Sequence, residues 1–258
     1  MADVTLNTVL RNLVWLGEAC YTFHDQNVRG LNCMRIEADE AWAFIYAKDK
    51  TLASLPRHLR AFAGTRWTWI SIDPDSKMVV NWHVGRHKPS DAQEFMDDLA
   101  SRIPGRLQLT SDQLQHYRAA VENAFGDRVD YATIQKVMGK PRFTPDGRIE
   151  QPKLRKNRKA SVYGHPDEEL VTTTTIEAQN LLLRMSNRRY TRFTNAFSRR
   201  IRNMRASVAL HFTYYNFCRI HPVIRVTPAM EAGLVTSALQ IEELIERLNV
   251  EESRKEPY

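Results

Sequence analysis

At 258 residues, 43% of them hydrophobic, the chain can bury one good-sized α/β core with helical additions, or two small cores. A formal charge of +7 and a pI near 9.4 point to a polyanionic partner. Cys20, Cys33 and Cys218, odd in number and far apart, spell neither a disulfide framework nor a zinc finger, no apolar run approaches the roughly 18 residues of a membrane span, and the N-terminus has no basic leader region, so the expectation is a cytoplasmic protein with no membrane contact.

Residues 4–20, VTLNTVLRNLVWLGEAC, read as an amphipathic helix with Asn7 as cap and Val9, Leu10, Leu13 and Val14 as inner face. Residues 34–46 read as a strand with Asp39 at its middle. Trp67–Asp73 and Met78–Val84 flank Asp73-Pro74-Asp75-Ser76, a turn tetrad, and so form a hairpin. Ser90 and Gln93 make a capping box ahead of Phe95, Met96, Leu99 and Ile103, which recur at helical spacing. Gly105 then releases a short strand, residues 106–112, that delivers Asp112 at its end. Leu114, Tyr117, Val121 and Phe125 continue as a helix stopped by Gly126, and residues 129–137 read as a fifth strand. This order predicts an α/β fold: a ribonuclease H-like mixed five-stranded sheet with flanking helices.

Pro141, Pro145, Gly147, Pro152, Gly164 and Pro166 punctuate residues 139–172, which read as a basic insertion loop. Beyond it the chain is helical. Thr174-Thr175-Ile176-Glu177 is a capping box, and Phe193, Phe197, Ile201, Met204 and Val208 carry on an apolar stripe. Thr227 before Pro228 starts another helix, and Ser237 with Gln240 caps a last one carrying Ile241, Leu244, Ile245 and Leu248. The expected division is an N-terminal helical segment (1–30), the first part of a catalytic domain (31–138), the basic loop (139–172), the Glu177 helix with basic helices (173–235), and a C-terminal helix and tail (236–258).

The basic residues are not spread evenly. Between Ala178 and Met230 lie ten arginines and no Asp, Glu or Lys, and between Gly139 and Lys159 eight basic residues face Asp146 and Glu150. Guanidinium matches phosphate bidentately, so Arg184, Arg188 and Arg192, together with Lys153, Arg155 and Lys156 of the loop, are candidate DNA contacts. A solvated basic face is the plainer alternative.

Asp39, Asp112 and Glu177 would converge at one edge of such a sheet. Attack on a phosphodiester needs an activated hydroxyl and a stabilised leaving oxygen, which two divalent ions about 3.5–4 Å apart can supply, and Mg²⁺ prefers carboxylates with open positions. On the Glu177 helix, Asn180, Arg184 and Arg188 fall within about 60° of its face. Each acid also has a structural explanation: Asp39 and Glu40 point to opposite faces of a strand and cannot both be ligands, Asp112 is placed to cap a helix, and Glu177 completes a capping box. His83 and His87 end a strand and enter a loop, where their spacing does not suit a metal, His221 fits a DNA contact or a structural role at a helix end equally, and Trp67, Trp69 and Trp82 alternate as core residues. No nucleotide-binding loop is present, so no nucleotide cofactor is expected.

The strings ADEAWAF (38–44), WTWISIDPDSKMVV (67–80), EFMDDLASRI (94–103), LTSDQLQHYRAAVENAFG (109–126), TTTTIEAQNLLLRMSNRRYTRFTNAFSRR (172–200) and ALHFTYYNFCRIHPVIRVTPAMEAGL (209–234) resemble the transposases of the insertion sequence one family, DDE enzymes of ribonuclease H-like fold. The resemblance implies that Asp39, Asp112 and Glu177 hold two Mg²⁺ ions, with Mn²⁺ as a substitute, for DNA strand cleavage and strand transfer. It matches Arg184 to a basic residue two helical turns beyond the motif glutamate, and Ala178 stands where similar transposases carry Arg. The N-terminal segment resembles the last helix of a helix-turn-helix. Element ends and target DNA are the implied partners, bound by a homo-oligomer at the nucleoid. A catalytically silent DNA-binding remnant or regulator, and a ribonuclease H-like nuclease that never joins, remain alternatives.

Overall fold

The computed structural model describes residues 4–140, 142–143, 149–150, 152, 154–191 and 194–247. Eight strands and eight helices are defined among them: α1 (Leu6–Asn27), β1 (Arg35–Ile45), α2 (Arg57–Arg60), β2 (Gly64–Ile72), β3 (Val79–Gly85), α3 (Pro89–Arg102), β4 (Leu107–Ser111), α4 (Gln115–Phe125), β5 (Val129–Met138), β6 (Arg142–Phe143), β7 (Ile149–Glu150), β8 (Leu154–Tyr163), α5 (Thr174–Ser186), α6 (Ile201–Phe217), α7 (Pro228–Glu231) and α8 (Ile241–Arg247).

The main sheet has six strands in the order β3-β2-β1-β4-β5-β8. β1, β4 and β5 run parallel, and β2, β3 and β8 are antiparallel to their neighbours. This mixed α/β arrangement is compatible with a ribonuclease H-like fold, and it corrects the expected five strands. The added strand β8 lies in the stretch read as a loop. Proline and glycine surround it, but the run 154–163 contains neither, and pairing with β5 supplies what its polar side chains do not.

Register assigns the faces. Asp39 pairs with Ile70 and Ile70 with Trp82, whose ring meets His24 of α1 at 4.3 Å and Phe212 of α6 at 5.2 Å between centroids. α1, α5 and α6 therefore cover the odd-numbered face of β1. Glu40 pairs with Trp69, which meets Phe95 of α3 and Tyr117 of α4, so these helices cover the other face. Trp69 and Trp82 are core residues, as their alternation predicts, and Trp67 is half-buried and stacks on His87.

The starts of α1, α3, α5 and α8 differ from the sequence expectation, and α8 begins at Ile241 with the Gln240 amide donating to Glu243 Oε2 at 2.9 Å, so that Ser237 does not cap it. α1 is capped by Thr5, whose hydroxyl accepts from the Thr8 amide at 3.2 Å, and not by Asn7. Its inner face is Val14, Gly17, Cys20 and His24, because the contact with α6 lies in its second half; Val9 stays exposed. α3 starts at Pro89 after Lys88, which leaves Ser90 inside the helix. α5 is preceded by Thr173, and the expected box at Thr174 is not made. Among the described residues no helix is long and apolar enough to cross a membrane. Phe193 and Leu248, expected on apolar stripes, lie outside the described residues.

Candidate active site at the ends of β1 and β4

Two of the predicted acids are neighbours by register. Ala38 of β1 is paired with Ser111, the last residue of parallel β4, so Asp39 and Asp112 follow side by side, one residue beyond the last pair. Asp112 leaves the strand and bends back: its Oδ1 accepts from the Leu114 amide at 2.9 Å, while Leu114 itself precedes α4. Asp112 is therefore not the cap of α4 that the sequence suggests; it closes the turn before the helix, and that turn leaves Oδ2 uncommitted.

Glu40 joins them. One oxygen from each of Asp39, Glu40 and Asp112 lies within 4.8 Å of the others. The expectation that Asp39 and Glu40 cannot share a ligand site is thus corrected. They do face opposite sides of β1, but Asp112 stands past the end of β4, where no backbone separates the two sides. Two Mg²⁺ ligands on opposite sides of the ion stand about 4.2 Å apart, so the spacing needs only a small adjustment to hold a cation.

Glu177 approaches from α5. It lines a cavity of about 560 Å³ together with Asp39, Asp112, Gln113, Lys136 and Thr173. Its Oε1 accepts from the Thr173 hydroxyl at 2.7 Å, and its Oε2 pairs with the Lys136 ammonium of β5. Glu177 is not within the 4.8 Å group, and Lys136 and Thr173 engage its two oxygens. One turn further along α5, the buried Asn180 donates from Nδ2 to Asp39 Oδ2 at 2.8 Å.

The electrostatics call for a cation. Burial, with the nearby charges of Asp112 and Glu177, pushes the Asp39 carboxyl up to about 6, against hydrogen bonds from the Glu40 amide and Asn180. Burial likewise pushes Glu40 up to about 8, with Asp112 and Asp39 adding to it and the adjacent Tyr117 hydroxyl opposing it. Among the described residues Glu40 Oε1 has no hydrogen-bond partner. Hard oxygen donors, mutual repulsion and a buried unpaired oxygen are the conditions that a divalent ion relieves.

The predicted phosphate contacts divide. Arg184 is half-buried near the end of α5, and Arg188 is exposed but lies in a 3₁₀ turn after the helix has ended at Ser186, so the two do not share one helical face. Arg155 and Lys156 are exposed on β8, a strand and not a loop. Arg192 and Lys153 lie outside the described residues. The arginine run is partly structural, a role its composition hides. Arg189 donates to Ser198 Oγ at 3.0 Å, Arg202 forms a two-pronged pair with Glu18, and Arg205 bonds the Val84 carbonyl at 3.1 Å. His83 is also structural, 3.1 Å from Asp91. Glu40, which joins Asp39 and Asp112, and Lys136, which lines the cavity with Gln113 and Thr173, are not selected by sequence reasoning. The charged pair Asp39-Glu40 was the available signal for the first, and nothing local marks the second.

No protein-family model matches the chain, and no curated protein matches it. Among solved structures it is similar to a piggyBac transposase, seen by cryo-EM in a synaptic complex with hairpin DNA, with a TM-score of 0.37 and 7% identity over 87% of this chain and 54% of that one. The chain spans about half the length of that neighbour. A likeness at this level leaves the site geometry as the ground for any functional reading.

Proposed function

We propose that the chain is a metal-dependent DNA transposase that cleaves and rejoins DNA strands at the ends of an insertion sequence. The observation that carries this reading is the convergence of Asp39, Asp112 and Glu177, from β1, the end of β4 and α5, on one cavity. The sequence resemblance to insertion sequence one transposases selects the same three acids.

Mg²⁺ or Mn²⁺ bound there would polarise the phosphodiester and lower the pKa of the attacking hydroxyl. Asp39 and Asp112 would hold it in this reading, with Glu177 completing the set from the helix. Asn180 holds one oxygen of Asp39 and so fixes the orientation of the carboxylate. Thr173 steadies Glu177 in the same way. Lys136, paired with Glu177 when no cation is bound, would turn to a phosphate oxygen once Glu177 is taken. Arg184, Arg188, Arg155 and Lys156 would hold the DNA backbone and contribute affinity without sequence information.

The test is Mg²⁺-dependent nicking of DNA bearing element ends, by the wild type and by Asp112→Asn. Nicking is expected to fall to background in the variant, and joined products on a supercoiled target plasmid separate a transposase from a nuclease. Unchanged nicking by Asp112→Asn sinks the reading.

A further inference from the structure

Two residues before Asp39, on the same face of β1, stands a second carboxylate that the reading above does not use. Glu37 is only 2% exposed, and its Oε2 accepts from the Ile176 amide in the first turn of α5 at 2.9 Å, across 139 positions of sequence. The first amides of a helix have no partner within it, and they attract negative charge. The residue before α5, Thr173, makes no side-chain cap; its hydroxyl goes to Glu177 instead.

The first amides of α5 are taken by groups from outside the helix, Thr172 at Thr174 and Glu37 at Ile176. In a capping box the glutamate of the first turn folds back onto the backbone of the cap residue. Glu177 would then be lost to the cavity. Here the Thr174 amide that such a box would use is held by the Thr172 hydroxyl at 3.1 Å, Glu37 takes the Ile176 amide from the strand, and Glu177 meets Thr173 and Lys136 at the cavity wall. The bond also fixes the rotation of α5, since slipping by one residue would swing Glu177 and Asn180 through about 100°. Glu37 and Asp39 lie two positions apart on a rigid strand, so the helix is referenced to the strand that carries the first acid.

We infer that Glu37 is a positioning residue, which caps α5 from β1 and thereby sets Glu177 and Asn180 against Asp39. The inference rests on the metal-site reading above, and its test separates the two. Mn²⁺ affinity is measured by calorimetry on the full chain for wild type, Glu37→Gln, Glu177→Gln and the double variant, with Asp39→Asn as control and with thermal melts and exchange of the Ile176 amide followed in each. Glu37→Gln is expected to weaken Mn²⁺ binding by about tenfold in the wild-type background, as loss of an orienting partner commonly does, and by less than about twofold where Glu177 is already gone. The Ile176 amide is expected to exchange faster. An equal loss in both backgrounds would show that Glu37 supports only the general fold and would overturn the inference. If Glu37→Gln fails to fold, Glu37→Asp keeps the charge and shortens the reach; it should show the same dependence on Glu177, and independence overturns the inference equally. If Asp39→Asn and Glu177→Gln both bind Mn²⁺ as the wild type does, the metal-site reading fails and takes the inference with it.

Discussion

Replacing Asp39 by asparagine should make the cation-free protein more stable while removing its response to metal. The Asp39 carboxyl, whose ordinary value is 3.8, is pushed up to about 6 by burial first and by Asp112 and Glu177 after it. A shift of that size corresponds to about 3 kcal/mol, and about 2 kcal/mol remains after allowing for the side chain's partial exposure. The sign follows from proton counting. The folded state holds more protons than the unfolded state between about pH 4 and 6, so stability declines as pH rises through that window, and the whole penalty is present above it. In Asp39→Asn there is no charge to bury, and the new amide oxygen can still accept from Asn180. At pH 7.5 in EDTA the variant should therefore melt about 4–8 °C above the wild type. The gap should close as the pH is lowered to 4. Added Mg²⁺ should raise the wild-type melting temperature and leave that of the variant unchanged. Calorimetric melts at several pH values make the comparison. A variant that melts no higher than the wild type in EDTA, or a gap that persists at pH 4, refutes the reasoning.

Lys136→Met removes the ammonium that occupies Glu177, and because the pair is exposed the expected gain in Mg²⁺ affinity is modest, about two- to fivefold by calorimetry; a loss of affinity would count against competition for Glu177. Gly17→Ala tests how tightly α1 lies on α6. A methyl there would sit 2.3 Å from the Ala206 carbonyl oxygen and 2.4 Å from its Cα, and these are backbone atoms that cannot swing away. Helix propensity favours alanine by about 1 kcal/mol, but overpacking costs about 1–3 kcal/mol, so urea titration should show a net loss, and a gain would refute the close crossing. Arg155→Ala combined with Lys156→Ala should weaken binding to any duplex and reduce the slope of log affinity against log salt by about 2, as read by fluorescence anisotropy. An unchanged slope would remove β8 from the DNA-binding surface.

Much of the fold was legible because it rests on short-range patterns. The composition of 34–46, poor in turn formers, the Asp73–Ser76 turn and the Gly105 and Gly126 stops are decided within a few residues, and the structure follows them. From those elements alone, Asp39 and Asp112 could be expected to meet. What stayed hidden depends on partners far away in sequence. β8 is a strand because β5 accepts it, and its own composition argues for a loop. Glu37 looks like one more acid in a strand until Ile176 arrives. Glu40 was set aside on the two-sidedness of a strand, a rule that lapses where the neighbouring strand ends. α5 starts after Thr173 and the box at Thr174 is not made, with the Thr174 amide held by Thr172 and the Ile176 amide by the distant Glu37. The arginine run read as uniform, yet Arg189, Arg202 and Arg205 are held by Ser198, Glu18 and Val84, contacts that no spacing reveals.

The exposure of β8 has a second consequence. It is the outermost strand of the main sheet, and its residues 154–161 are exposed while carrying Arg155, Lys156, Arg158 and Lys159. An unprotected outer strand invites another copy to add its own strand, and lysine and arginine at such a border repel an identical neighbour. Such cations would hinder that pairing between free molecules. Neutralising them to weaken DNA binding would therefore also lower the concentration at which the protein begins to aggregate.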